Sequence, residues 1–392
     1  MKKILIAYPG LFLGGSTSSL LALLRQINLR QYDITLAIYD DGLPFQKYIP
    51  QGVNVVCVRK AGKNVIGLLK KICSAVLGGY FFRYLRSRSK DDGSQIYIPI
   101  VFQADCNSVC LKERFDLAIG FMEGWADEYV AKSVFADKKI AWIHTDISCL
   151  QYANNRLFLS MLSKMDTVVC VSESLRKLMC SMYPSISSRI RVFPNQISKE
   201  FLIERSLEVN SGDGDYVNFR SFNGIKILTV CRLDLQTKGL DRAVAAASAL
   251  ENKNANYIWY VLGDGADREE IERLIGASGV DKSRFKLCGL RENPAPFYSA
   301  ADIFCLPSRY EGKPMAVTEA MSLGAVPVVT AYHSAHEQIK NGENGFIIKN
   351  DDDALADFLL SLYENSEKLN NIKDNLSKYI TDCSWSINDL FR

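Results

Sequence analysis

A chain of 392 residues is too long for one comfortable core and predicts two domains. With 48% hydrophobic and 23% charged residues the composition excludes large-scale disorder, and no run approaches the roughly 18 apolar residues of a membrane span. The net charge of +3 hides an asymmetry: residues 1–200 hold 26 Lys and Arg against 16 Asp and Glu, the remainder 21 against 28, so one lobe is set to meet something anionic.

The start, MKKILIAYPG, is basic and then apolar for about half a dozen residues, too few for a secretory core. A strand (KILIAYP) leads to a loop holding Gly14 and Gly15 and then to a helical stretch, STSSLLALLRQI. Strand-like runs follow at ITLAIY, VNVVCV, FDLAIGF, KIAWIH and DTVVCVS. Short apolar runs alternating with longer connections predict βαβ units and a parallel sheet over residues 1–200. Between the second and third of these segments, residues 59–90 carry nine Lys and Arg and no acid. Val65, Leu68 or Leu69, Ile72, Val76, Tyr80 and Tyr84 recur there near helical spacing. Such a stretch suits an anionic membrane surface. Packing on the sheet with solvated lysines is the alternative, and Gly67, Gly78 and Gly79 interrupt any single helix.

Residues 201–223, with SGDGD at their centre, read as a polar linker. The pattern then restarts over 224–375: IKILTV, helix GLDRAVAAASAL, strand NYIWYVLGDG, helix ADREEIERLIGASG, strands FKLCGL and DIFCLP, helix PMAVTEAMSLG and strand VPVVT. A last segment, 376–392, is placed back on the first domain. Two doubly wound lobes facing one another leave a cleft at the carboxyl ends of both sheets. Eleven cysteines, odd in number and without a Cys-x-x-Cys pair, sit mostly in apolar runs and read as a reducing cytoplasm without disulfides or zinc.

The chemistry-bearing residues gather in the second half. Pro314 and Gly324 bracket a helix whose free first-turn amides suit an anion. Glu311 stands before that helix and Glu319 inside it, as carboxylates that accept hydrogen bonds from vicinal hydroxyls. Arg232 and Lys238 follow the first strand of this half; a guanidinium fork and a compact ammonium together suit a diphosphate. Taken singly, each is equally at home on a solvated surface, and VLGDG with Gly263 is a turn like many others.

In order along the chain, RLDLQTKGLD, VLGDG, FKLCGL, ADIFCLPSRYEGKPMAVTEAMSLGAVPVVT with its Glu-x7-Glu spacing, and EQIKNGENGFII resemble the retaining family 4 glycosyltransferases of the GT-B fold. In the first half the resemblance rests on the Gly14–Gly15 loop, AWIHTD and VVCVSESLRK. It implies an α/β fold of two Rossmann-like domains, a nucleotide-sugar-binding one following an acceptor-binding one. By that resemblance Arg232 and Lys238 hold the donor diphosphate, Glu319 the ribose hydroxyls and Glu311 those of the transferred sugar. Gly14 and Gly15 bring backbone amides from the other lobe. His144 matches the family's active-site histidine. Leu290 and Arg291 flank the base, read by backbone groups. Gly312, Lys313 and Met315 complete the donor site, although Lys313 stands where the family more often has an apolar or aromatic residue. Arg232 and Lys238 are one residue further apart than in the commoner form of the motif.

No Asp-x-Asp of the metal-holding kind stands at a strand end, so no metal or cofactor is expected and the nucleotide sugar is a substrate. The expected activity is transfer, with retention, from a nucleotide sugar, UDP favoured, to a saccharide or lipid-diphosphate-linked acceptor in cell-surface polysaccharide assembly. The expected place is the cytoplasmic membrane face, with no nucleic-acid partner. A nucleotide-sugar epimerase or phosphorylase, and a silent nucleotide-sugar-binding scaffold, are the competing readings.

Overall fold

The computed structural model describes residues 1–11, 14–40, 44–59, 109–147, 156–209, 212–379 and 385–391. Of the basic stretch 59–90, all but Arg59 lies outside the described residues.

In the first half, β1 (Lys2–Gly10), β2 (Tyr32–Asp40), β3 (Asn54–Cys57), β4 (Arg114–Gly120), β5 (Phe135–Ile143), β6 (Thr167–Cys170) and β7 (Ile190–Val192) form a parallel sheet in the order β3-β2-β1-β4-β5-β6-β7. In the second, β8 (Ile225–Val230), β9 (Tyr257–Leu262), β10 (Phe285–Gly289), β11 (Ile303–Leu306), β12 (Val326–Thr330) and β13 (Phe346–Ile348) run β10-β9-β8-β11-β12-β13, again parallel. The central strands are buried along nearly their whole length, which is why they read as unbroken Val, Ile and Leu runs rather than as alternations. Chain order reverses between β1 and β4 and between β8 and β11, and at these switch points the loops at the carboxyl edge part to leave a crevice. Those loops carry Gly14, Glu123, Arg232 and Glu311.

Each sheet has its own apolar core, and a small cluster of Ile197, Leu202 and Met315 lies apart from both. The described residues of the 201–223 segment are largely helical, not the loop expected from their polarity: helices run over Lys199–Leu207 and Gly214–Ser221. Ser198 and Asp213 cap them, and Phe219 is fully buried, its ring 5.8 Å from Phe297. A few large side chains on one face outweigh the polar remainder. The end of the chain lies on the first lobe. Trp385 donates from Nε1 to the Pro194 carbonyl (2.9 Å), Phe391 stacks on Tyr32, and Ile387 and Leu390 are buried in that lobe's core. Among the described residues no helix is long and apolar enough to cross a membrane.

Candidate functional site

A cleft of about 590 Å³ lies where the carboxyl edges of the two sheets face each other. Every site residue singled out from the sequence lines it: Gly14, Gly15 and His144 from the first lobe, Arg232, Lys238, Gly263, Leu290, Arg291, Glu311, Gly312, Lys313, Met315 and Glu319 from the second.

Beyond β8 the chain makes one helical turn, Leu235–Lys238, capped by Asp234, whose Oδ1 accepts the Thr237 N–H at 3.0 Å. This turn spans the long Arg232–Lys238 spacing and delivers Lys238 Nζ to 2.7 Å from Glu311 Oε1. Ser308 Oγ donates to the same oxygen at 2.7 Å. Burial would lower the Lys238 pKa, but the Glu311 charge overrides it and the net shift is upward. The two form a salt bridge across the cleft wall. Arg232 is the more exposed cation, with 69% of its side chain accessible and a 3.2 Å contact to Asp234 that orients it across the loop.

Glu319 lies on the helix Met315–Ser322, which starts at the cleft after Pro314 with no side-chain cap. Val317 N–H bonds the Pro314 carbonyl at 3.3 Å, and the amides of Met315 and Ala316 before it receive no side-chain cap. Glu319 is buried, and burial raises its pKa against the relief offered by the Ser18 and Tyr298 hydroxyls. Ser18 belongs to the other lobe's helix Gly15–Gln26, so Ser18 and Glu319 line the cleft from opposite lobes.

Two glycines are where they are because nothing larger fits. A Cβ on Gly312 would stand 2.1 Å from the His144 carbonyl oxygen of the other lobe. Gly263, at φ +141°, brings the turn after β9 against the Cys231 carbonyl, where a Cβ would come to 1.9 Å. His144 itself donates its backbone N–H to Glu123 Oε2 at 2.9 Å, and its ring lies 5.0 Å from that of Phe121. Burial lowers its pKa in spite of Glu123, which keeps the imidazole neutral at pH 7.

Arg291 lines the cleft, yet its guanidinium is engaged elsewhere, by Asp213 (2.9 Å) and Asp215 (2.8 Å). Leu290, 56% exposed, is the apolar surface beside it. Arg205, Glu123 and Tyr298 also line the cleft and were missed from sequence. Arg205 is buried, donates to Asn293 Oδ1 (3.1 Å) and the Glu292 carbonyl (2.7 Å), and lies over the Tyr48 ring at 4.5 Å. The Phe201, Leu202, Arg205 spacing on one helical face was its sole local signal. Glu123 could have been found by asking which acid follows a central parallel strand.

Two doubly wound lobes whose switch points open on one shared cleft define the GT-B fold. The solved structure of Anabaena HepE in complex with UDP and glucose matches over 96% of this chain and 94% of that one, with a TM-score of 0.68 at 16% identity; the likeness is one of fold. Residues 220–379, the second lobe, match the family described as glycosyl transferases group 1. An uncharacterised glycosyltransferase of Methanocaldococcus jannaschii is 31% identical over 232 residues, 55% of this chain and 56% of that protein. The UDP-Gal:alpha-D-GlcNAc-diphosphoundecaprenol alpha-1,3-galactosyltransferase of Escherichia coli is 29% identical over 180 residues, 45% of this chain and 46% of its own. The chain thus spans about half the length of these relatives.

Proposed function

We propose that the protein transfers a sugar, with retention and without a metal, from a nucleoside diphosphate sugar to a saccharide or lipid-diphosphate-linked saccharide in cell-surface polysaccharide assembly. UDP is the favoured nucleotide. The observation that carries the reading is the convergence of Lys238, Glu311, Arg232 and the Met315 helix end on one cleft, opposite Gly14, Gly15 and His144. The E. coli relative, whose name gives a UDP sugar and a lipid diphosphate, supports it.

In this scheme the bond from the anomeric carbon to the diphosphate breaks with its electron pair leaving on the phosphate oxygen. Arg232, Lys238 and the helix amides meet the charge that grows there, each fixed donor adding ~3–4 kcal/mol of transition-state stabilisation. The acceptor oxygen attacks from the same face and gives its proton to the departing phosphate. Glu311 binds hydroxyls of the sugar and Glu319 those of the ribose. The neutral His144 adds no cation to the site, and the cations are supplied by side chains. Arg291 acts on the base only by fixing its loop.

The test is UDP release from a panel of UDP sugars with candidate acceptors, run with and without EDTA, and repeated with Arg232→Ala. Acceptor-dependent release that survives EDTA and loses turnover more than donor affinity in Arg232→Ala is expected. Binding without release would favour the scaffold, and release that EDTA abolishes would remove the metal-free mechanism. The basic stretch 59–90 adds a proposal from sequence alone: peripheral attachment at the cytoplasmic membrane face, near a lipid-linked acceptor. Co-sedimentation with anionic liposomes at low salt should fall when Lys70, Lys71, Arg83 and Arg86 are all changed to Glu. Equal sedimentation of both proteins would exclude it.

A further inference from the structure

Away from the cleft's catalytic wall, the first lobe presents the start of the helix Glu173–Met182 to the second. Its cap residue, Ser172, accepts the Leu175 N–H at 3.1 Å, which leaves the amides of Glu173 and Ser174 to find acceptors elsewhere. They find them on Glu337, in the short helix Ala335–Gln338 of the other lobe. Glu337 Oε2 accepts from Glu173 N–H at 2.8 Å, and Oε1 accepts from Ser174 N–H at 2.7 Å. Ser174 Oγ stands 2.5 Å from the same Oε1 and 3.1 Å from the His333 carbonyl oxygen. One carboxylate so completes the first turn of a helix 163 residues away in sequence, with its charge at the positive end of the helix dipole. Among the described residues, every hydrogen bond of the Glu337 side chain crosses to the first lobe.

The contact abuts the chemistry. His333 Nδ1 lies 3.1 Å from Asp146 Oδ2, two residues beyond His144. Asp146, Ser174 and His333 share a small void with Glu311 and Gly312. The seam that joins the helix Glu173–Met182 to Glu337 therefore continues into the point where Gly312 meets the His144 carbonyl.

We propose that Glu337 is a positioning residue that holds the lobes in the closed register and so sets Glu311 against His144; this rests on the transferase reading above. The carboxylate touches no reacting atom. It biases the fraction of molecules in which the two halves of the site are assembled, and the apparent donor affinity follows that fraction.

The experiment compares X-ray scattering of the wild type, Glu337→Ala and Ser174→Pro, each with and without UDP, together with steady-state kinetics. Proline is tolerated in a helix's first turn, so Ser174→Pro removes two of the three donors to Glu337, the Ser174 amide and hydroxyl, and leaves the Glu173 amide and the helix in place. Both variants should show a larger radius of gyration in the free state, which saturating UDP reverses. The donor KM should rise several-fold while kcat stays within about twofold, because donor binding restores closure. The double variant should add nothing to either single one, as partners in one contact require. Free-state curves that superimpose on the wild type, or effects of the two substitutions that simply add, would overturn the proposal. If no protein of the set binds UDP, the transferase reading fails, while the free-state curves still decide the role of Glu337.

Discussion

Lys238→Met is expected to lower kcat by about 10²–10³-fold, the usual cost of one donor to a developing oxyanion. The substitution also has a structural consequence that Arg232→Ala lacks. Lys238 Nζ sits 2.7 Å from Glu311 Oε1 with 19% and 10% of the two side chains exposed, so removing the cation leaves a nearly buried carboxylate with Ser308 as its remaining close donor. Breaking such a pair from one side costs about 3 kcal/mol, towards the low end for buried pairs because some solvent reaches it. In a lobe of this size that corresponds to a fall in Tm of roughly 6–12 °C. Lys238→Met combined with Glu311→Gln removes both charges and should recover most of the lost stability while leaving transfer abolished. Thermal melts and initial rates on the four proteins of this cycle check both halves. A double variant as unstable as Lys238→Met alone would show that the pair is not coupled as its geometry requires.

Gly312→Ala is expected to lower kcat/KM by about a hundredfold, the scale set by ångström-level misplacement of catalytic groups. The added methyl would lie 2.1 Å from the His144 carbonyl oxygen, and both contacting groups are backbone, so no side chain can swing aside. The lobes must part instead, which separates Glu311 from the His144 side of the site. Neither lobe's interior changes, so Tm should move by less than about 1–2 °C. UDP should still bind to the second lobe. Gly263→Ala is the contrast: its clash with the Cys231 carbonyl and its φ of +141° lie inside one lobe, so it should lose stability as well as activity. Rates, calorimetric UDP binding and melts separate the two outcomes. Wild-type kcat/KM in Gly312→Ala would mean that the lobes do not meet there during turnover.

Much of the molecule was legible because its causes are local. An unbroken run such as YIWYVL can be little other than a strand covered on both faces, and β9 is one. Gly324, at φ +90°, follows the helix Met315–Ser322 as a glycine past a helix end should, and Asp234 caps the turn that carries Lys238. Switch-point loops follow from strand order, so residues after β1, β8 and β11 were findable as cleft residues without coordinates. The linker was misread for an equally local reason: polarity was weighed by count, whereas Tyr216 and Phe219 decided the fold of 214–221 by burial.

What tertiary structure alone decided lies between the lobes. Nothing near Gly312 in sequence announces the His144 carbonyl, and nothing near Glu337 announces the amides of Glu173 and Ser174. Arg205 acquires its partners from residues 292 and 293 and from the Tyr48 ring, and Arg291 is held by Asp213 and Asp215. Secondary structure answers to hydrogen bonds and burial patterns repeating over a few residues, which a sequence displays directly. The register of one lobe on the other depends on single close contacts between distant segments, and those exist only once both sheets have folded and met.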